Sequence, residues 1–142
     1  LAVRFSKCCS PVPGDEIVGF VTRGRGITIH RTDCINVLNL PEIERSRLID
    51  AEWQGVEEDN SAATYSTEIS IFANNRIGMF VDISKIFTER EIDIKTMNSR
   101  VNKQGKATIT MSFDIHGIEE LNNLMAKLRQ IDGVLDIERT TG

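Results

Sequence analysis

The chain has 142 residues, 40% of them apolar and 27% charged, and a net charge of -4, the profile of a soluble globular protein. No apolar run approaches the roughly 20 residues that span a bilayer, no secretory leader opens the chain, and the acidic balance argues against a uniformly basic nucleic-acid binder. Three cysteines cannot form a fully paired internal disulfide framework, so reduced thiols and a cytoplasmic location are expected; a chain that opens on Leu1 rather than methionine reads as part of a longer product.

The first 53 residues read as a small β-rich module. "SPVPGDE" is a rigid turn, with Pro11 and Pro13 restricting the backbone. Glu16 to Thr22 is a strand, "RGRG" from Arg23 to Gly26 a turn, and "ITIH" a second strand. Thr32 or Asp33 can cap one short helix with Ile35, Val37, Leu38 and Leu40 as its apolar positions. Arg47 to Trp53 is a third strand, with Trp53 available to the core. Between Arg4 and Arg31, five basic side chains face two acidic ones, so this segment is locally cationic despite the acidic whole.

Residues 54–64, "QGVEEDNSAAT", hold one strongly apolar residue, Val56, beside three consecutive acids. Such a stretch has too little to bury and reads as a linker. Beyond it the periodicities are clear. Tyr65 to Ala73 alternates as a strand, and "NNRIG" is a loop. From Gly78 to Arg90 the spacing of Met79, Phe80, Ile83, Ile86 and Phe87 is that of one helix face. "IDIKTMNSRVNK" is a strand with a phase slip near Thr96, which suggests a bulge. Gln104–Gly105 makes a hairpin turn, and Ala107, Ile109, Met111, Phe113 and Ile115 alternate with polar residues along the next strand. Ile118, Leu121, Leu124, Met125, Leu128 and Ile131 form a second helical stripe, and Gly133 to Thr140 a last strand. The order β-α-β-β-α-β is ferredoxin-like, so the fold class is α+β: a β-rich module with one short helix, then a ferredoxin-like domain over 65–142.

That topology is shared by RNA-recognition motifs, which stack bases on outward aromatics of the third strand. Here those positions are Thr108, Thr110 and Ser112, so base stacking on this sheet is not expected. The polar face is either solvated or meets a partner or second copy. At the first strand–helix junction, Asn74, Asn75, Arg76, Ile77, Gly78 and Met79 either make a plain turn or present helix amides to a carboxylate. His116, at a later strand–helix junction, reads as a surface residue.

Cys8, Cys9, His30 and Cys34 are the candidates for site chemistry. If Cys34 sits in the first turn of a helix, His30 can share its side, with Cys8 and Cys9 arriving from the N-terminal strand. Thiolate and imidazole are zinc's ligands in closed tetrahedral sites, and a module of about 53 residues has little core to hold it. Against this, adjacent cysteines lack C-x2-C spacing. Three buried thiols and a redox pair are the alternatives, the latter without a C-x-x-C. The "RGRG" tip with Arg31 offers Arg23, Arg25 and Arg31 as planar forks suited to phosphate, or simply a solvated turn.

"KCCSPVPGDEIVGFVTRGRGITIHRTDC", Lys7 to Cys34, closely resembles the conserved-cysteine module of long RelA/SpoT homologues, the (p)ppGpp synthetase/hydrolases of the bacterial stringent response. That module is called the ribosome-intersubunit or zinc-finger domain, and the family's ACT domain follows where the β-α-β-β-α-β pattern falls here. The resemblance implies a regulatory region without catalytic residues, belonging to a GTP or GDP pyrophosphokinase that in many members also hydrolyses its product. The catalytic and TGS domains are expected outside this sequence. It further implies a structural zinc on Cys8, Cys9, His30 and Cys34, contact of Arg23 and Arg25 with ribosomal RNA, coupling to a ribosome carrying uncharged tRNA, and an amino-acid ligand or a homodimer at the ACT domain.

Overall fold

A computed structural model describes residues 2–54 and 63–142. Residues 55–62 of the expected linker lie outside the described residues. The first module contains β1 (Val3–Phe5), β2 (Ile17–Val21), β3 (Ile27–Arg31), α1 (Ile35–Leu38), α2 (Glu42–Arg45) and β4 (Leu48–Asp50). Its sheet has the order β1-β3-β2-β4, with β1 parallel to β3 and the other pairs antiparallel. Two short helices stand where one was expected. Pro41 is the N-cap of α2, its backbone still extended at ψ 148°, and α2 carries acids in its first turn and Arg45 in its last, both favoured by the helix dipole. The N-cap of α1 is Cys34 rather than Thr32 or Asp33; Asp33 is drawn off by the Arg31 guanidinium.

The second module runs β5 (Tyr65–Asn74), α3 (Met79–Glu89), β6 (Ile94–Val101), β7 (Lys106–Ile115), α4 (Ile118–Arg129) and β8 (Val134–Arg139). Its sheet order β6-β7-β5-β8 is the ferredoxin-like arrangement. Burial alternates residue by residue along β7, because one face of a pleated strand looks to the helices and the other to water. The core gathers Ile69, Ile71, Ile109, Met111 and Phe113 from the sheet with Ile83, Phe87, Leu121, Leu124 and Leu128 from the helices. Phe87 and Phe113 meet edge to face with ring centroids 5.0 Å apart. The register of β6 shifts between Ile94 and Thr96, the irregularity expected near Thr96. Phe80, placed by spacing on the buried stripe of α3, is 42% exposed; Met79, Ile83 and Phe87 are buried against the sheet, and Ile86 packs half-buried beside them.

The modules touch. Val12 of the first is completely buried within the core cluster of the second, and the Ile118 amide at the start of α4 donates to the Pro13 carbonyl at 2.8 Å. Phe5, Trp53 and Tyr65 form an aromatic trio across the boundary, centroids 5.4 to 5.6 Å apart. Trp53 is therefore a half-buried bridge, its indole N–H on the Asp15 carbonyl at 3.0 Å, rather than a residue of the first module's own core. No helix among the described residues is long and apolar enough to cross a membrane.

Candidate metal centre and basic tip

Adjacent side chains on an extended strand point to opposite faces, so two neighbouring cysteines reach one centre only if the backbone turns. It does. The Ser10 amide donates to the Ser6 carbonyl at 3.0 Å, and Ser10 takes φ +47°, which reverses the chain just after the pair. Within a helix-like turn successive side chains diverge by only about 100°, and both sulfurs reach the same side. His30 comes from β3, and Cys34 from the entry to α1.

The ligand atoms of Cys8, Cys9, His30 and Cys34 all lie within 4.8 Å of one another. Cys8 Sγ is 3.3 Å from Cys34 Sγ and 3.5 Å from His30 Nδ1, and Cys9 Sγ is 3.9 Å from that nitrogen. Around a tetrahedral zinc the bond lengths put two thiolates about 3.8 Å apart and a thiolate and imidazole nitrogen about 3.6 Å apart. The four donors therefore fit a metal ion in number, type and spacing. The three cysteines are free thiols, with Cys9 and Cys34 essentially inaccessible.

The electrostatics order the proton losses. Burial pushes the Cys9 thiol up to about 12, opposed by the Arg31 amide, which donates to its sulfur at 3.3 Å. Burial, with the hydrogen bond to Cys8, also raises Cys34. At Cys8 burial acts in the same sense, but hydrogen bonds to Ser6, Asn36, Cys34 and Cys9 outweigh it and hold the thiol below its ordinary 9.0. Burial lowers His30 below 6.5, which keeps the imidazole neutral, the form a metal takes. Cys8 is the thiol that ionises most easily, and a cation brought to it would drive off the remaining protons.

Of the three arginines singled out in the sequence, two remain at the surface. Arg23 is 83% exposed along its side chain, with Glu44 at 3.6 Å, and Arg25 is exposed at the same tip. Arg31 is 7% exposed, and its guanidinium is taken up by Asp33 and by the Cys9 and Thr140 carbonyls. It is no phosphate-facing residue in this structure, because alternation along β3 turns residue 31 inward with Ile29.

At the β5–α3 junction the expected ligand loop is largely engaged by neighbouring elements. The Asn74 side chain accepts from Lys106. Arg76 donates to the Asp132 carbonyl at 2.8 Å and to Asp82 at 2.7 Å. Asn75 is tied by its amide to the Gly105 carbonyl, Ile77 is wholly exposed, Gly78 caps α3 and Met79 is buried in the core. On the open sheet face, Glu68, Thr96, Asn98, Arg100, Thr108 and Thr110 line a shallow groove of about 660 Å³ together with Met97. His116 is exposed and pairs with Glu120 at 3.0 Å.

Residues 61–139 match the ACT domain family and residues 1–54 the RelA/SpoT RIS domain family. The GTP pyrophosphokinase of Escherichia coli (strain K12) is 38% identical over 140 residues, covering 98% of this chain and 18% of that protein. That of Streptomyces coelicolor is 30% identical over 139 residues, covering 98% of this chain and 16% of that protein. Among solved structures, the crystal structure of the ACT domain from GTP pyrophosphokinase of Chlorobium tepidum is 26% identical, covers 54% of this chain and 99% of that one, and has a TM-score of 0.49. The chain belongs to the ACT domain family. With its RIS domain it forms the RIS–ACT region of a RelA/SpoT protein, and it spans less than a fifth of the length of the curated relatives it matches.

Proposed function

We propose that this region is a non-catalytic regulatory part of a GTP pyrophosphokinase, one that reads ribosome and uncharged-tRNA state and passes it to synthetase, and in bifunctional members hydrolase, domains elsewhere in the polypeptide. Zinc held by Cys8, Cys9, His30 and Cys34 acts as a structural staple. The observation that carries the reading is the exposed arginine pair at the β2–β3 tip, Arg23 and Arg25, held out on a sheet whose other end is gathered at the four-donor cluster. Such a tip presents two guanidinium forks to an RNA backbone at little conformational cost. The test is ribosome association of the chain by co-sedimentation. Arg23→Glu with Arg25→Glu abolishes it while circular dichroism stays unchanged; co-sedimentation at the wild-type level overturns the RNA role.

Self-association through the ACT domain is the second reading. It is favoured by β6, an edge strand of eight residues exposed along nearly its whole length, whose free backbone groups offer a pairing edge. Asn98→Pro in β6 then shifts sedimentation equilibrium toward monomer, and a wild-type chain that is monomeric at every concentration excludes it. An amino-acid ligand at Asn74 to Met79 fits this structure less well, because Arg76 is already committed to Asp82 and Asp132.

A further inference from the structure

The last residues of the chain are bonded to the walls of the cysteine–histidine cluster. Arg139, at the end of β8, makes a two-pronged ion pair with Asp15 at 2.8 and 2.9 Å, and the two side chains are only 10% and 8% exposed. Its guanidinium also donates to the Ser10 carbonyl at 3.2 Å. Asp15 in turn accepts the Val12 amide at 2.8 Å, which fixes the loop that follows Cys8 and Cys9. One residue on, the Thr140 carbonyl accepts from Arg31, and the same guanidinium donates to the Cys9 carbonyl. One further residue on, the Thr141 carbonyl accepts the Ile35 amide at 2.7 Å, directly after Cys34. Residues 139–141 thus hold the turn that carries Cys8 and Cys9 on one side and the helix entry that carries Cys34 on the other.

We propose that metal binding at the cluster and seating of the β8 tail are two halves of one coupled equilibrium, with Arg31 and Arg139 as the positioning residues that join them. The inference rests on the metal reading above. Gathering the four donors fixes the Cys9 and Ser10 carbonyls and the Ile35 amide where the tail can bond them; a seated tail in turn holds the cysteine turn against α1 and prepays the ordering that an ion would otherwise have to impose. Linkage makes the effect reciprocal: whatever factor the tail adds to metal affinity, the metal adds to tail seating. A partner that peels β8 away would weaken the metal site, and loss of metal would loosen the end of the ACT sheet.

The experiment measures zinc(II) affinity of the 142-residue chain by competition with a chromogenic chelator. The variants are Asp15→Asn with Arg139→Gln, which removes both buried charges together, and Arg31→Met. Both are expected to bind zinc about tenfold more weakly or worse, within the usual range of coupling between sites. In the wild type, zinc slows hydrogen exchange at the Ile35 and Thr140 amides, the latter bonded to the Glu68 carbonyl. Wild-type zinc affinity in both variants overturns the coupling. So does exchange at Thr140 that is indifferent to zinc, and this second readout decides the matter even where a variant does not fold. A wild-type chain that takes up no zinc overturns the metal reading itself, an outcome distinct from zinc uptake without any change in the tail.

Discussion

The two halves of this chain solve the same stability problem by different means. The ACT domain closes a sheet with two helices over aliphatic and aromatic side chains that are almost all fully buried. Among the described residues, the RIS module has only Cys9, Cys34 and Val37 in its own buried cluster, with Cys8, Val18 and Leu48 against it, while Val3, Val21, Leu38 and Ile43 remain exposed. Small domains bury too little surface to stand on packing alone. What holds the smaller half is the cysteine–histidine cluster together with docking onto the larger half through Val12, Asp15 and the aromatic trio.

That contrast is tested most forcefully by removing the zinc proposed for the cluster. Structural zinc sites are worth roughly 10–16 kcal/mol of apparent binding free energy at neutral pH. Chelation of the zinc-loaded chain should therefore erase the dispersed amide resonances of β2, β3 and α1 in a two-dimensional NMR spectrum, while those of β5 and β7 persist. If the resonances of both halves survive chelation, the RIS module is self-supporting and the contrast fails. Cys34→Ser should reproduce the effect without chelator.

The converse cut is made in the ACT core. Phe113 is fully buried, packs on Phe87 and sits in a central strand, so Phe113→Ala should cost about 3–5 kcal/mol. Urea unfolding followed by far-ultraviolet circular dichroism measures it. Because Val12 is part of that core, the RIS module should lose protection together with the ACT domain. Chelation, by contrast, leaves the larger half standing.

Acid is a gentler probe of the same asymmetry. Burial holds the folded-state pKa of His30 below its ordinary 6.5, so unfolded chains take up that proton first. The stability contributed by a neutral His30 is complete above about pH 6.5 and is lost as pH falls from there through the folded-state value. In zinc-loaded protein, where the imidazole must also stay neutral to hold the ion, melting curves between pH 7 and pH 5 should shift the RIS transition downward, and His30→Gln should remove that part of the shift. Equal shifts in the variant and the wild type would exclude His30 as the source.

Legibility from the sequence divides along the same boundary. The ACT fold could be read strand by strand because repetitive structure writes its burial into periods of 2 and 3.6, as in Lys106 to Ile115. Even the slip near Thr96 was visible as a break in that period. The cluster was legible for another reason: the chain has only three cysteines and two histidines, so few donor sets exist. What was hidden depends on tertiary placement. The Asp15–Arg139 pair joins residues 124 apart, and no local pattern marks either as the other's partner. Arg31 looked like a third member of a basic tip until strand alternation turned it inward. The adjacent cysteines looked like poor chelators because the positive φ of Ser10 has no signature in a residue type that seldom adopts it.

The smallest effect offers the most closely matched comparison. Gly24, in the β2–β3 tip, has φ +83°, and Gly105, in the β6–β7 hairpin, has φ +76°; a methyl group added at either would meet nothing within 4 Å. Alanine at either site therefore imposes only the backbone cost of a left-handed residue, about 1 kcal/mol, with no steric difference between them. In the ACT domain that cost should appear as a lower urea midpoint for the whole β5–β8 sheet, since its strands unfold together. In the RIS module the cluster and the docked loop lie at the far end from the tip. There the strain should be absorbed locally, as faster amide exchange at Thr22 and Ile27, with chelator resistance and the ACT midpoint both unchanged. A Gly24→Ala chain that releases zinc more readily would mean that the arginine tip and the metal centre are rigidly joined, and that the smaller half is more cooperative than its sparse core allows.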